Sequence, residues 1–238
     1  IDYPLSGGEG AQNATTTFTG DGGPKLDNFF VQLVYALKFQ SEQIIFSDAV
    51  TEESQILYDR HPAQRVAKAA PYLTLDSDVY PAIVDGRIMW IVDGYTTTDR
   101  YPYAQRARSA ELSRASGLAN QRFNYVRNSV KVVVDAYDGS VKLYAWDEAD
   151  PMLKAWTAAF PNVVQPKSAI SQDLLDHLRY PQDFFKVQRQ ILARYHMTNP
   201  DNWYQRSSLW DVPNDPVAGA SAQTKEPPFY LSVKWPGD

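Results

Sequence analysis

Two segments of the chain, residues 80–92 (YPAIVDGRIMWIV) and 130–146 (VKVVVDAYDGSVKLYAW), each place an Asp-Gly pair between flanks of alternating side chains. Few short patterns constrain a fold more, because a two-residue type I′ turn needs positive φ at both central positions and Asp and Gly tolerate it. A turn at Asp85 and Gly86 pairs Val84 with Arg87, Ile83 with Ile88 and Pro81 with Trp90. It then gathers Val79, Pro81, Ile83, Ile88, Trp90 and Val92 on one apolar face. A turn at Asp138 and Gly139 likewise turns Val132, Val134, Ala136, Val141, Leu143 and Ala145 inward and sets Asp135 opposite Lys142 outside. The fold class that follows is α+β: antiparallel hairpins at about 79–92 and 130–146, a further strand at 229–234, and several helices covering one face of the sheet.

The helices announce themselves by period and caps. Residues 26–39 carry Leu26, Phe30, Leu33 and Leu37 in one row and Phe29, Val34 and Tyr35 on other faces, so the sequence predicts a core helix buried on several sides. A second helical stretch is expected from Thr51, with Glu52 and Glu53 in its first turn, and a short one between Pro62 and Pro71 with Val66, Ala69 and Ala70 inward. Asp150 with Pro151 opens another, Ser171 caps 172–178, and Pro181 opens 182–196 with Phe184, Val187, Ile191 and Tyr195 along one side. Residues 1–25 read as an extended arm, 105–121 as a mobile basic loop and 212–228 as a connector within a single 1–238 domain.

With 238 residues, 44% of them hydrophobic, the chain can build a real core. It has no cysteine, which excludes disulfides, thiolate metal sites and cysteine nucleophiles. No window approaches the about 20 apolar residues that span a bilayer. The net charge of −5 conceals a basic stretch, residues 100–131, where seven Arg and Lys face Glu111 alone. Such a stretch suits a solvated surface or an anionic envelope partner, and nothing points to nucleic acid.

The candidate ligand-binding segment is the exit of the first hairpin, a run of hydroxyls, carboxylates and aromatics: Asp93, Tyr95, Thr97, Asp99, Arg100, Tyr101 and Tyr103, with His177 and Arg179 as side chains that could approach it. Tyrosine faces stack on sugars or peptides while Asp, Thr and Arg supply hydrogen bonds. Asp93 with Asp99, or Asp76 with Asp78, could instead be posed as the two carboxylates of a hydrolase. His61, His177 and His196 lack the close spacing of a zinc helix, so no metal is assigned. No phosphate loop, dinucleotide fingerprint or nucleophile elbow occurs, so no cofactor and no catalytic residue is assigned.

Six strings, NATTTFTGDGG, NFFVQLVYALKFQ, SQILYDR, PAIVDGRIMWIVDGYTTTDRYPY, FNYVRNSVKVVVDAYDGSVKLYAWDEADP and HLRYPQDFFKVQRQILARYH, together resemble the soluble part of the UPF0182 family, bacterial membrane proteins of uncharacterised function. The likeness runs through nearly the whole chain, except at residues 105–121. It implies a parent with several transmembrane helices and a large extracytoplasmic region, of which this chain is an excised part. It implies no reaction. The expectation is therefore a binding or scaffolding module for an envelope polymer or protein partner, held at the cell membrane by segments absent here. A hydrolase acting on envelope polysaccharide or peptide is the alternative.

Overall fold

The computed structural model describes residues 2–4, 13–15, 20, 22–108, 118, 122–217, 225–231 and 233. Most of the basic loop and part of the connector lie outside them. By its contacts the chain divides into two units: residues 1–60 with 135–140, and residues 61–134 with 141–238.

In the first unit, β1 (Asp2–Pro4) and β2 (Asn13–Thr15) pair antiparallel, so part of the expected arm is a two-stranded ribbon. Helix α1 (Phe29–Phe39) starts at Asn28, whose side chain accepts the Val31 N–H, and ends at Gln40 in the left-handed region. It is followed by α2 (Gln43–Phe46). The expectation of a core helix is corrected. Ala36 is the buried residue of α1, whereas Phe30 and Leu37 are each 71% exposed. No helix forms from Thr51 either, because the Thr51 N–H donates to Ser54 Oγ and closes a local turn that competes with helix.

The second unit holds the sheet. After α3 (Pro62–Ala69) come β3 (Thr74–Leu75), β4 (Tyr80–Val84) and a long β5 (Arg87–Thr98), then the short pair β6 (Ala107–Arg108) and β7 (Arg122–Phe123). The chain continues through β8 (Tyr125–Asp135), β9 (Val141–Ala145), α4 (Pro151–Ala159), β10 (Val164–Gln165), α5 (Gln172–His177), α6 (Gln182–Tyr195) and α7 (Pro200–Gln205). The sheet order is β10-β9-β8-β5-β3, with β4 also on β5; β10 runs parallel to β9.

The first hairpin has the expected register, Val84 to Arg87, Ile83 to Ile88 and Pro81 to Trp90, and both Asp85 (φ 49°) and Gly86 (φ 76°) are left-handed. Its faces differ from expectation at the tip. Ile83 and Ile88 are exposed, whereas Tyr80 and Val84 are buried with Ile91, Val133, Ile170 and Leu174. The physical reason is that helices cover both faces of the sheet: Val92, Val132 and Val134 pack with Val66 and Leu153 from α3 and α4, and the alternate residues pack under α5 and α6. Beyond the two-residue turn, hydrogen-bonded pairs alternate, so Tyr80, Ala82 and Val84 address β5 and the backbone of Pro81 and Ile83 faces the other side of β4, where no strand pairs among the described residues.

The second hairpin pairs Val134 with Val141 and Val132 with Leu143, two residues away from the expected register. Its loop is longer because the Asp135 carboxylate accepts the Tyr137 N–H at 2.7 Å, and Asp138 is not left-handed although Gly139 is. A shift of two keeps Val132, Val134 and Leu143 inward, but Asp135, expected outside opposite Lys142, is buried, and Lys142 pairs with Val133 instead. Residues 229–231 and 233 belong to no strand, which corrects the expected final strand, and α7, capped by Asn199, was not anticipated.

One carboxylate joins three elements. Asp150, fully buried, accepts Thr96 Oγ1 and Ser129 Oγ at 2.6 Å each, the Tyr125 hydroxyl, and the Met152 and Leu153 N–H groups at the start of α4. Burial alone drives its pKa up, but the hydroxyls of Ser129, Thr96 and Tyr125 and the Met152 N–H outweigh it and hold the carboxyl below the usual value. Its stabilisation is therefore complete above about pH 4 and is lost as pH falls through the lowered folded pKa. Asp150→Ala should cost about 2–4 kcal/mol in denaturant unfolding, a lost cap plus stranded buried hydroxyls. The stability gap between wild type and Asp150→Asn should stay constant from pH 5 to 8 and shrink below about pH 4.

Candidate functional site

Strand β5 does not stop at the hairpin but runs on to Thr98, so the first half of the candidate segment is strand rather than loop. Alternation then separates its side chains. Tyr95 faces α6 with Val187, and Thr96 turns to Asp150 on the opposite face.

Asp93 meets Lys131 of β8 in an ion pair whose side chains are each 2% exposed. Lys131 Nζ also donates to the Arg179 carbonyl at 3.0 Å and lies 5.4 Å from the centre of the Trp146 ring. Burial raises the Asp93 pKa against the opposing charge and hydrogen bond of Lys131. Beside this pair the Arg179 guanidinium lies over Tyr80 (4.5 Å) and Tyr230 (5.4 Å), and the Arg179 N–H donates to the Tyr80 hydroxyl at 2.9 Å. Burial and the nearby carboxylates of Asp78, Asp93 and Asp76 push Tyr230 up to about 12.

A second buried group links the sheet to α6. The Asp76 carboxylate accepts the Tyr95 hydroxyl, the Asp183 N–H at 2.9 Å and the Asp78 N–H at 2.7 Å; Asp183 in turn accepts the Ser77 N–H at 2.9 Å and pairs with Lys186 at 3.0 Å. Pro181 at the N-cap has no side-chain cap to offer, so Asp76 and Tyr95, whose hydroxyl accepts the Phe184 N–H, cap the helix from the sheet. Burial and the neighbouring Asp183 raise the Asp76 pKa, opposed by the Tyr95 and backbone hydrogen bonds.

The remaining candidates sit elsewhere. Thr97 shares a hydrogen bond with Thr74 at 3.3 Å, and the His177 ring turns to Asp173 of its own helix (Nδ1 to carbonyl 2.7 Å). Asp99, Arg100, Tyr101 and Tyr103 form an outward loop. Asn124 clasps it: its Oδ1 accepts the Tyr101 N–H at 2.9 Å, its Nδ2 donates to the Tyr101 and Ala104 carbonyls at 2.7 and 3.2 Å, and its N–H donates to the Thr98 carbonyl. Tyr101 stacks on Tyr125, 5.0 Å between ring centres. Tyr103 is fully exposed in the left-handed region (φ 59°), and the Arg100 side chain is 91% exposed.

The nine expected residues thus scatter: Asp93 and Tyr95 are buried, Thr97 is half-buried in β5, His177 ends α5, Arg179 is in the α5–α6 connection, and Asp99, Arg100, Tyr101 and Tyr103 form the clasped loop. Asp93 and Asp99 form no acid and base pair, since Asp93 is sealed against Lys131 and Asp99 lies on the surface beside Arg100. Sequence reading passed over Lys131, Asp183 and Asn124. The unbroken VKVVVD run was the available signal for a strand buried on both faces, and hence for a lysine needing a buried partner. Among the described residues no three His, Asp or Glu side chains converge as a metal site.

This geometry defines an α+β protein whose interior charges brace the fold and whose polar, aromatic loop is displayed on the surface. The chain belongs to the UPF0182 family, described as an uncharacterised protein family, whose sequence model matches residues 1–238. It is 54% identical to UPF0182 proteins of Clavibacter michiganensis and Leifsonia xyli, covering 100% of this chain and 25% and 24% of theirs. A Bifidobacterium longum relative is 51% identical over 100% of this chain and 23% of its own length. The chain therefore spans about a quarter of the curated relatives it matches. No solved structure matches it. Among the described residues no helix is long and apolar enough to cross a membrane.

Lys131→Met strands a buried carboxylate and should lower stability by about 3–5 kcal/mol, whereas the double variant Asp93→Asn, Lys131→Met should recover most of that loss. Chemical denaturation of the three proteins tests it.

Proposed function

We propose that this chain is an extracytoplasmic part of a multi-pass membrane protein and serves as a binding or scaffolding module for a cell-envelope component or partner protein. The observation that carries the reading is the clasped loop at 99–103. A bulky residue at positive φ is strained, and strain of this kind concentrates at ligand clamps. Here three side-chain hydrogen bonds from Asn124 hold the loop that projects Tyr103 into solvent. An exposed aromatic on a backbone already held in place, in the same loop as exposed Arg100, has less backbone entropy to lose on binding, which favours it as an anchor. The interior carboxylates support the same reading, because each is engaged by backbone or side-chain partners of the fold.

Two measurements on the intact protein test this. The chain has no native cysteine, so Tyr103→Cys places a thiol of known position. In whole cells a membrane-impermeant maleimide should label it, and protection until lysis would remove the extracytoplasmic assignment. A photo-crosslinking residue at position 103 should give a discrete envelope adduct that Asn124→Ala weakens, while thermal unfolding of Tyr103→Ala stays within about 0.5 kcal/mol of wild type. Absence of any adduct from position 103 would remove the binding role.

A further inference from the structure

Helix α1 of the first unit is apolar on more sides than its own unit covers. It is a finished element: Asn28 caps its start, and the Gln40 N–H returns to the Ala36 and Leu37 carbonyls at its end. One side is occupied. Tyr35 and Phe39 stack with ring centres 6.1 Å apart, and the Tyr58 ring lies beside both, at 6.0 and 5.7 Å. Lys38, the one charged side chain of the helix, sits over the Tyr58 ring at 4.2 Å. Phe30, Val34 and Leu37, spaced i, i+4 and i+7, form a row on a different side, and all three are exposed.

The first unit is also short of interior. Among its described residues the buried hydrophobics are Leu26 and Ala36, too few to hold a unit built on residues 1–60. The relatives that match this chain along its whole length at 54% identity devote 25% and 24% of their own length to the match, so about three quarters of such a polypeptide lies outside it. A segment tied covalently to the unit meets the row at high effective concentration. Charge disfavours the other occupants. From Asp27 to Arg60 there are six Asp and Glu against Lys38 and Arg60. Helices that lie on anionic lipid carry Lys and Arg beside their apolar row, and two acidic copies repel as they approach. An apolar segment of the same chain needs no charge pairing.

We propose that the row of Phe30, Val34 and Leu37 docks an apolar segment of the same polypeptide lying outside these 238 residues, which completes the interior of the first unit in the whole protein. This rests on the reading of the chain as part of a longer protein and is independent of the loop at 99–103. A core helix is what the apolar pattern of residues 26–39 predicts, and this contact makes it one.

The test uses the full-length protein in its membrane, with a benzophenone analogue of phenylalanine at position 30, where a ring already stands. Irradiation should give an adduct that leaves the protein at the mass of a single polypeptide, and peptide mapping should join α1 to an apolar peptide from outside residues 1–238. Leu37→Glu, on the same row, should reduce that adduct by about tenfold or more, whereas Leu37→Met should retain it. Thermal unfolding confirms that both variants fold. An adduct within residues 1–238, an adduct of doubled mass, an adduct to lipid or to another protein, no adduct, or an adduct indifferent to Leu37→Glu would each overturn the docking. If the impermeant maleimide still labels Tyr103→Cys in whole cells after such a result, the docking alone falls and the extracytoplasmic reading stands.

Discussion

A lysine and an aspartate, sealed in the middle of the sheet, set the terms for the second unit. Removing two such ions from water costs several kcal/mol each, and their attraction offsets this only when the remaining valences are satisfied. Lys131 achieves that with the Arg179 carbonyl and the Trp146 face. The requirement reaches outward, since the Arg179 carbonyl is available only if the segment between α5 and α6 lies against Tyr80, where the Arg179 N–H donates to the hydroxyl and the guanidinium lies over the ring. One ion pair thus fixes β5 to β8 and fixes the α5–α6 connection onto β4.

The same economy governs the two faces of the sheet. On one, Asp150 caps α4 and gathers hydroxyls from β5 and β8. On the other, Asp76 and Asp183 exchange backbone hydrogen bonds, so that a sheet residue caps a helix and the helix returns a carboxylate to the sheet. These carboxylates oppose each other in pH response. Asp150, held low, withdraws stability on acidification, whereas Asp76, held high, favours its protonated form and withdraws stability as pH rises through its folded value.

Much of this was legible in the residues themselves. The type I′ turn at Asp85 and Gly86, the Asp150 and Ser171 caps and the Pro181 helix start all depend on chemistry within a few residues, and each forms where local rules put it. What local rules missed depends on distant partners. The buried face of Tyr80 and Val84 is decided by α5, almost a hundred residues later, and the loop length of the second hairpin by which backbone amides the Asp135 carboxylate accepts. Of the candidate site, Tyr101 and Tyr103 were identifiable as surface aromatics; Asn124, which holds them, carried no signal because an asparagine between two short strands has many uses.

The outer edge of β4 has a bearing on how this protein can meet others. Of the two residues whose backbone faces that edge, Pro81 has no N–H, which leaves Ile83 as the donor. A strand laid alongside β4 would find one amide where a ladder needs several, so backbone pairing at this edge is disfavoured. Association at this margin must then be written in side chains, which can be selective, rather than in backbone, which cannot.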